Sequence, residues 1–451
     1  MSPNNTPLSP ATYAVHADDR INTVTDVAPP IHPSTTFRYP RNPEQLQPVP
    51  KGSEEHVNLT TPLIYSRLAS SSTNRLETIL APLLYPDSPP SSYESLGNHV
   101  VTYTSGLSAF HALLVNVVPK VIAISGGYHG CHGVISLHTK MHNLRTVDLH
   151  ADESAWDAAG LGKGDIVHLE TPLNPTGEAY SIAHFAARAH ARGALLSVDA
   201  TFGPPGLQNP FALGADIVMH SGTKYIGGHS DMLCGVLATA PTPEGYKRAL
   251  TLRDERIFLG SVLGSLEGWL GVRSLRTLAL RVQRQSESAT NIVSWIHSAL
   301  NSTSTSPESA LVRKVISRVT HASLQASTPD AKWLQEQMPN GYGPVFSIYT
   351  HTPAQARSLP SHLALFHHAT SLGGVESLIE WRRMSDGGVD ERLLRVSIGV
   401  EDWRDLKADL LAAFEVLADG GAKGSEEATK EVVVQTGGRP AEVAGAADGS
   451  I

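Results

Sequence analysis

The sequence predicts an α/β fold: a large domain built on a mostly parallel sheet, followed by a smaller α+β C-terminal domain. Two observations support this prediction. Short runs rich in Val, Ile and Leu, bounded by Gly, Pro or Asp, alternate with helix-like stretches through the middle of the chain. After about Gln285 that alternation gives way to a long helix-like run and, later, an amphipathic segment.

The alternating region supplies the strands of the predicted sheet and the helices that connect them. The predicted strands cover residues 101–105, 121–125, 165–170, 194–200 and 216–221. Residues 107–117 and 182–192 are helix-like stretches between them. Because parallel strands need long crossover connections, usually helical, this order favours a parallel sheet.

The C-terminal region has a different pattern. A helix-like run at 286–300 leads into a Ser/Thr/Pro stretch at 301–308. Further on, Asp402 is a suitable N-cap for a helix whose apolar residues step by 3, 4, 4 and 3. Those apolar residues are Trp403, Leu406, Leu410, Phe414 and Leu417. This spacing places them on one face of a single helix.

We expect four regions along the chain. Residues 1–60 form a Pro-rich N-terminal arm whose first ten residues are disordered, and residues 61–290 form the large domain. Residues 291–419 form the smaller domain. Residues 420–451, rich in Gly, Ala and Glu, read as a disordered tail.

Composition excludes several classes of protein. The 451 residues contain 35 Lys and Arg against 43 Asp and Glu, a net charge of −8, which argues against binding nucleic acid or anionic membranes. Cys131 and Cys234 are the only cysteines, so a disulfide scaffold and a Cys₄ zinc site are excluded. The sequence has no apolar run of membrane-spanning length and no secretory pattern at its start, so we expect a cytoplasmic protein.

The sharpest chemical signal is the segment SGTKYIGGHSD at 221–231. Lys224 follows a predicted strand and is flanked by the hydroxyl groups of Ser221 and Thr223. The lysine could serve as a counter-charge for a phosphate or as an amine nucleophile. Taken alone, a lysine in a loop is more often an ordinary surface residue.

A second signal lies one predicted strand earlier. Asp199 stands near the end of the strand at 194–200 and is followed by Thr201. A buried carboxylate there is costly without a charged partner, and ligands bind at this edge of an open α/β sheet. A lysine and a carboxylate so placed are the two parts that a pyridoxal phosphate (PLP) site needs. A capping aspartate at a strand end remains the alternative for Asp199.

Nine short motifs, which lie in order within a stretch from about Thr12 to Ala418, resemble the trans-sulfuration, or Cys/Met-metabolism, family of PLP enzymes. That family includes cystathionine γ-synthase, cystathionine β- and γ-lyases, methionine γ-lyase and O-acylhomoserine sulfhydrylase. The sequences of residues 127–135 and 366–386 resemble a fungal branch of this family. The nine motifs are VAPPIHPSTTF (27–37), YSR (65–67), SGLSA (105–109), GGYHG (126–130), ETPLNPTG (170–177), VDATF (198–202), SGTKYIGGHSD (221–231), SLGGVESLIE (371–380) and LRVSIGVED (394–402).

The resemblance implies a set of residues that hold the cofactor. Lys224 resembles the lysine that forms the Schiff base, and Asp199 the partner of the pyridine nitrogen. Tyr128 resembles the ring that stacks on the cofactor and is counted with Lys224 as catalytic. The remaining cofactor-binding candidates are Ser221 and Thr223 through their hydroxyls, Gly106 and Leu107 through backbone N–H groups at a helix start, and Thr201.

The same resemblance implies substrate contacts and a shared site. Arg395 and Asn174 resemble the groups that hold the α-carboxylate, for which a guanidinium fork is suited. Glu376 and Ser377 resemble the family's specificity-determining pair. Tyr65 and Arg67 resemble the pair that reaches the phosphate of the neighbouring subunit.

We therefore expect a PLP-dependent transferase fold of fold-type I, PLP as cofactor and a homotetramer with active sites shared between subunits. The expected reaction is elimination or replacement at Cβ or Cγ of a sulfur-containing or γ-substituted amino acid, as in cysteine and methionine metabolism. Three alternatives stay open: a γ-replacement on an O-acylhomoserine in secondary metabolism, another fold-type I enzyme such as an aminotransferase, and an inactive scaffold.

The sequence departs from the family pattern at three places. Ser70, Ser71 and Ser72 replace a usual Asn-Pro-Thr, and Ala200 replaces an Asn. Gly133 stands where many cystathionine enzymes carry an arginine for the distal end of the substrate, which predicts weak recognition of a distal carboxylate.

The spacing of His129, Cys131 and His132 suggests a metal site, but without a second cluster nearby we expect no metal.

Overall fold

The computed structural model of the chain describes residues 8–22, 25–46, 57–303, 306–328 and 331–419. Residues 1–7 of the predicted disordered start and the predicted tail at 420–451 lie outside these ranges. Within them, no helix has the length and apolar character that crossing a membrane requires.

The large sheet, as far as the chain is described, has seven strands in the order β1-β7-β6-β5-β4-β2-β3. All neighbours pair in parallel except at β7, which runs antiparallel to both β1 and β6. The mostly parallel sheet is therefore confirmed, and all five predicted strands belong to it. The strands are β1 Val100–Tyr103, β2 Val121–Ile124, β3 Arg145–Asp148, β4 Ile166–Glu170, β5 Leu195–Asp199, β6 Ile217–Ser221 and β7 Gly235–Thr239.

Helices surround this sheet and continue into the C-terminal part of the chain. In the described ranges the α-helices are α1 Pro10–His16, α2 Ser71–Leu84, α3 Tyr93–Leu96, α4 Gly106–Val117, α5 His129–His142, α6 Glu153–Ala159, α7 Ile182–His190, α8 Pro243–Leu259, α9 Ser265–Leu275, α10 Leu278–Asn301, α11 Pro307–Val315, α12 Ala322–Gln325, α13 Lys332–Gln337, α14 Pro353–Ser358 and α15 Trp403–Ala418. Single 3₁₀ turns lie at Asp19–Ile21, Pro43–Gln45, Pro90–Ser92, Gly97–His99, Pro210–Leu213, Leu359–His362 and Arg382–Met384.

Both faces of the large sheet are buried. On β2, Val121 and Ala123 belong to one hydrophobic cluster, whereas Ile122 and Ile124 belong to the cluster on the opposite face. Because successive side chains of a strand point to opposite faces, a sheet covered on both sides needs continuous apolar strands. This is why the strands appear in the sequence as unbroken Val/Ile/Leu runs rather than as an alternating pattern.

A second sheet, five-stranded in the described residues, follows in the order β10-β11-β12-β9-β8. Its strands are β8 Ile316–Thr320, β9 Val345–Thr350, β10 His367–His368, β11 Leu378–Trp381 and β12 Leu393–Ser397. Helix α15 packs against the core of this part, and Leu406, Leu410 and Phe414 are buried there. Asp402 caps α15 by accepting the Arg404 N–H at 2.9 Å, as the sequence predicts.

Helix α10 begins at Leu278, earlier than the predicted helix-like run at 286–300. Its first two turns mix apolar and polar residues, and the polar Arg281 is buried and donates to the backbone oxygen atoms of Tyr225 and Ser274 at 2.9 Å. Those bonds hold the start of the helix against the large-sheet part. The predicted domain boundary at 290–291 falls inside this helix.

The N-terminal arm is held in place by two sets of contacts. Asp18, only 2% exposed, pairs with Arg75 at 3.0 Å and with Arg276 at 2.7 Å. Further along, Thr36 forms an antiparallel bridge with Tyr65. Helix α1 begins at Pro10 with Ser9 as its cap, inside the stretch that the sequence predicts to be disordered.

Candidate active site

Three neighbouring parallel strands end at acidic or hydroxyl side chains on one edge of the large sheet. Strand β4 ends at Glu170, β5 at Asp199 and β6 at Ser221, and Glu170 is in register with Asp199. A cavity of about 440 Å³ opens at this edge. Ten of the residues predicted for the site line it: Gly106, Leu107, Tyr128, Asn174, Asp199, Thr201, Ser221, Thr223, Lys224 and Arg395.

The start of helix α4 forms one wall of the cavity. Ser105 caps the helix by accepting the Ser108 N–H at 3.1 Å, and the N–H groups of Gly106 and Leu107, at the start of the helix, remain available. Gly106 packs so closely against Ser221 that an added Cβ would lie 3.1 Å from the Ser221 Cβ. Backbone donors, the positive end of the helix dipole and a hydroxyl thus meet in one place, which is an anion seat suited to a phosphate.

Asp199 is a buried carboxylate, 5% exposed, with no ion pair among the described residues. Its Oδ1 accepts both the N–H and the hydroxyl of Thr201, at 3.0 and 2.5 Å. Thr201 Oγ1 in turn accepts the Ser221 N–H at 2.9 Å. Burial raises the pKa of Asp199, and the Thr201 bonds partly offset that effect. Because Oδ2 takes part in none of these bonds, it is available to a cationic N–H in the cavity.

Lys224 and Arg395 are joined through one residue. The Lys224 Nζ donates to Ser371 Oγ at 2.7 Å, and Arg395 Nη2 donates to the Ser371 backbone oxygen at 2.9 Å. Gly373, at φ +82°, brings its backbone so close that an added Cβ would lie 3.0 Å from the Lys224 carbonyl carbon. The segment around Ser371 therefore fixes the amine and the guanidinium side by side.

The environment of Lys224 changes its protonation. Burial, and then the Arg395 guanidinium, lower its pKa to about 8, and Glu380 acts in the opposite direction. We expect competitive acetylation of the cofactor-free protein to modify Lys224 with a midpoint near pH 8, whereas exposed lysines have midpoints near ~10.4. Arg395→Gln removes one positive charge and should move the Lys224 midpoint upward. A Lys224 midpoint equal to that of exposed lysines would contradict this description.

Glu170 holds the tyrosine and the asparagine of the site by their backbones. Its Oε2 accepts the Tyr128 N–H at 2.8 Å, and its Oε1 accepts the Asn174 N–H at 2.7 Å. Gly127, at φ +77°, has to be glycine because an added Cβ would lie 2.4 Å from Glu170 Oε2. Burial, and then the Asp199 carboxylate, raise the pKa of Glu170. The Tyr128 side chain, 39% exposed, is left to face the cavity.

Arg395 lies on β12 directly opposite Glu380 of β11. It donates to Glu380 Oε2 at 2.5 Å and to Asn174 Oδ1 at 3.1 Å. Burial lowers its pKa to about 10, so the group still carries its positive charge at neutral pH. Asn174 and Arg395 are thus brought together as the sequence predicts, in a geometry that can grip a carboxylate.

Four predicted site residues lie outside the cavity lining. Tyr65, 42% exposed, and Arg67 stack on one another at 5.4 Å on the surface of the arm region. Ser377 is buried and donates to Glu401 Oε2 at 2.9 Å, while its Oγ accepts the Gly399 N–H. Glu376 accepts the Ser230 hydroxyl.

The predicted absence of a metal site concerns the first turn of helix α5, beside the cavity. Within the described ranges, no group of three or more His, Cys, Asp or Glu side chains is arranged to hold a metal ion. His132 instead contacts the Gly126 backbone oxygen at 2.8 Å, and Cys131 is buried. Gly133 does not line the cavity.

Four residues in or beside the cavity were not identified from the sequence: Glu170, Ser371, Glu380 and Arg382. Glu170 and Ser371 each begin one of the motifs quoted above, so the motifs pointed to their segments. Nothing in a linear pattern shows that Ser371 will meet Lys224, because 147 positions separate them. Glu380 and Arg382 resemble an ordinary charged surface pair until the β11–β12 pairing places them beside Arg395.

The cavity suits PLP on three independent observations. An anion seat is formed by the start of α4 with Ser221, and a buried carboxylate without an ion pair stands at Asp199. An amine of lowered pKa, Lys224, lies in the same cavity, with the Tyr128 ring on its wall. The phosphate of PLP suits the anion seat, its pyridine nitrogen suits the Asp199 carboxylate, and its aldehyde suits the Lys224 amine.

Comparison with known proteins decides the family. Residues 11–415 match the family model of the Cys/Met metabolism PLP-dependent enzymes. The chain belongs to this family. Its cofactor is PLP, which confirms the prediction made from Lys224 and Asp199.

Curated relatives support the same assignment. The chain is 30% identical over 423 residues to the chloroplastic cystathionine beta-lyase of Arabidopsis thaliana, covering 90% of this chain and 81% of that protein. It is 32% identical over 412 residues to the cystathionine gamma-synthase of Escherichia coli, covering 87% and 94%. This member of the family is therefore a PLP-dependent trans-sulfuration enzyme that acts on a small amino acid at Cβ or Cγ.

Solved structures extend the likeness to the fold. The apo methionine gamma lyase of Micromonospora echinospora is similar with a TM-score of 0.71 and 32% identity, over 90% of this chain and 99% of that one. The fold-type I prediction is thereby confirmed. The two relatives and this structure carry three different reaction names at nearly equal identity, so overall similarity does not decide which reaction this chain performs.

Proposed function

We propose that this enzyme eliminates or replaces the γ-substituent of an α-amino acid of the cystathionine or O-acylhomoserine type. The observation that carries the proposal is the Ser371 bridge, which fixes the Lys224 amine beside the Arg395 guanidinium. An amino acid held by its carboxylate on Arg395 and Asn174 presents its Cα to Lys224. The cavity then accommodates a side chain that extends beyond Cγ.

The residues of the site divide the work among them. Bound PLP supplies the electron sink for the carbanion chemistry of such reactions. Arg395 and Asn174 bind the α-carboxylate and orient Cα. Lys224, neutral above about pH 8, can take the Cα proton and return a proton to the leaving group. Asp199 provides the negative charge at the end of the cavity where a protonated ring nitrogen would lie.

An activity assay tests the proposal. The purified holoenzyme should absorb in the visible region, and it should release a keto acid from cystathionine, O-acetylhomoserine or methionine. A thiol product from cystathionine indicates elimination, and a new thioether formed when cysteine is added to the ester indicates replacement. Transamination of these substrates without loss of the γ-substituent would contradict the proposal and favour an aminotransferase.

The proposal includes a cytoplasmic homo-oligomer with shared active sites. Among the described residues, the cavity is lined by one lysine, Lys224, and two arginines, Arg382 and Arg395. Both arginines form ion pairs with Glu380. The anion seat at α4 thus has no arginine of its own in the described chain. Arg67, exposed on the arm region, is suited to supply one to a neighbouring subunit.

Mixing two inactive variants tests the shared site. In a hybrid dimer of Lys224→Ala and Arg67→Ala subunits, one of the two sites has both native residues. We expect about a quarter of the sites to recover after random exchange, because half of the symmetric dimers are hybrids. Mixing Lys224→Ala with a Lys224→Ala/Arg67→Ala double variant is the matched control, in which no site recovers. No recovery in the first mixture, with exchange shown by mass spectrometry, would mean that each site is built from one chain.

A further inference from the structure

A second arginine lines the cavity beside Arg395. Arg382 opens the 3₁₀ turn that follows β11 and is only 3% exposed. Its Nη1 donates to Glu380 Oε2 at 3.0 Å, the same oxygen that Arg395 Nη2 contacts at 2.5 Å. The two guanidinium groups therefore stand side by side on one wall.

The hydrogen bonds of the two arginines differ. Arg395 is bonded to Asn174, Ser371 and Glu380. Arg382 has five N–H donors, but its only side-chain hydrogen bond among the described residues is the one to Glu380. Its Nε is buried without a partner. Buried donors are nearly always bonded, so this guanidinium has capacity for an anionic oxygen in the cavity.

Neighbouring carboxylates do not use that capacity. Glu380 Oε2 is shared by both arginines, and its Oε1 accepts the Ser385 hydroxyl at 2.6 Å. Asp386 lies 4.0 Å from Arg382 Nη2, beyond hydrogen-bond distance, and its side chain is 28% exposed. Glu380 is thus shared by the two guanidinium groups, and Arg382 keeps N–H donors that have no hydrogen-bond partner among the described residues.

We propose that Arg382 binds the distal carboxylate of the substrate and so makes the enzyme selective for dicarboxylic amino acids. The inference rests on the proposed function, since Arg395 and Asn174 take up the α-carboxylate. It replaces the expectation drawn from Gly133, which lies outside the cavity lining and has no atom within 4 Å of an added Cβ. The selected class is an amino acid whose side chain ends in a carboxylate, such as cystathionine or a succinyl ester of homoserine.

A binding experiment tests the assignment without turnover. L-2-Aminoadipate and L-norleucine have the same number of carbons and differ in the terminal carboxylate. Calorimetry on the holoenzyme should show aminoadipate binding at least about tenfold more tightly, the scale of one specific polar contact. Arg382→Gln should reduce that preference to within about twofold, because the charged donor is lost.

Two further variants control this experiment. Arg383→Gln removes the adjacent arginine, which lies outside the cavity lining and bonds the Gly387 backbone oxygen, and it should keep the parent's preference. Arg382→Lys keeps a positive charge beside Glu380 and should give an intermediate preference for aminoadipate. If Arg382→Gln does not fold, this variant tests whether Arg382 causes the preference. Equal binding of the two amino acids by the parent enzyme would overturn the proposal.

Kinetics on a matched pair of esters gives a second readout. The parent's kcat/KM should favour O-succinylhomoserine over O-acetylhomoserine. Arg382→Gln should remove that ratio by lowering kcat/KM for the succinyl ester much more than for the acetyl ester. Equal losses on both esters would show that Arg382 supports the α-carboxylate instead. If neither ester nor cystathionine reacts, yet the aminoadipate preference is present and is lost in Arg382→Gln, the proposed function fails and the Arg382 assignment stands.

Discussion

Lys224→Ala should abolish nearly all turnover, by about a thousandfold or more, which corresponds to roughly 4 kcal/mol of activation free energy. The physical reason is that one side chain provides both the attachment point for the cofactor and the base at Cα. Its lowered pKa, about 8, makes the neutral amine available near physiological pH. Steady-state kinetics on cystathionine and O-acetylhomoserine would measure the loss.

Two controls make the Lys224 result specific. Borohydride reduction of the parent should fix the cofactor on Lys224, located by peptide mass spectrometry. Lys332→Ala, a change on a side chain that is 87% exposed and remote from the cavity lining, should keep parental activity. A cofactor fixed to another lysine, or a Lys224→Ala enzyme within tenfold of the parent, would rule out this role.

Asp199→Asn should lower turnover by about tenfold to a hundredfold or more. A charge-assisted hydrogen bond contributes roughly 1.5–3 kcal/mol, and this variant removes the charge while keeping the shape. The buried Asp199 has no cation of its own among the described side chains, so its charge is free to hold the ring nitrogen in the protonated form.

The spectrum of the variant gives a readout separate from activity. The visible absorbance and its pH dependence should change in Asp199→Asn, because the ring nitrogen would no longer remain protonated. Asp87→Asn, on the exposed loop after α2, is the matched control and should change neither quantity. Turnover within twofold of the parent, under ~0.5 kcal/mol, would reject the assignment of Asp199.

Much of the fold could be predicted because buried parallel strands leave a clear pattern. Strand β5 has the sequence LLSVD. Burying the carboxylate of its last residue, Asp199, is unfavourable unless a ligand pairs with it, and this pointed to the site. The start of α10 was harder to predict, because Arg281 and Gln285 are polar but buried, Arg281 bonding the Tyr225 backbone and Gln285 the Gly374 backbone. Buried polar residues that bond to backbone oxygen atoms interrupt the apolar pattern from which a helix is predicted, so the start of the helix is missed.

The site could be predicted where a motif fixes one residue and less well where it offers several. The segment SLGGVESLIE supplied Glu376 and Ser377 as candidates, yet Ser371 at its start is the residue that bonds Lys224. Ser377 bonds Glu401 instead, deep in the C-terminal part. Which serine faces the cavity depends on the turn at Gly373 and on packing across the chain, and neither can be derived from spacing.

Helix α10 has a mechanical consequence for catalysis. Its first turns, with Leu278 and Val282, are embedded in the core around the large sheet, and its later turns, with Ala289 and Ile296, in the core around the second sheet. A continuous helix of 24 residues acts as a rigid strut between the two cores. Lys224 comes from one core and Arg395 from the other, so the strut sets the gap between the proton carrier and the carboxylate clamp. A movement that changes the distance between these two groups therefore requires the helix to bend or to shift against one of the two cores.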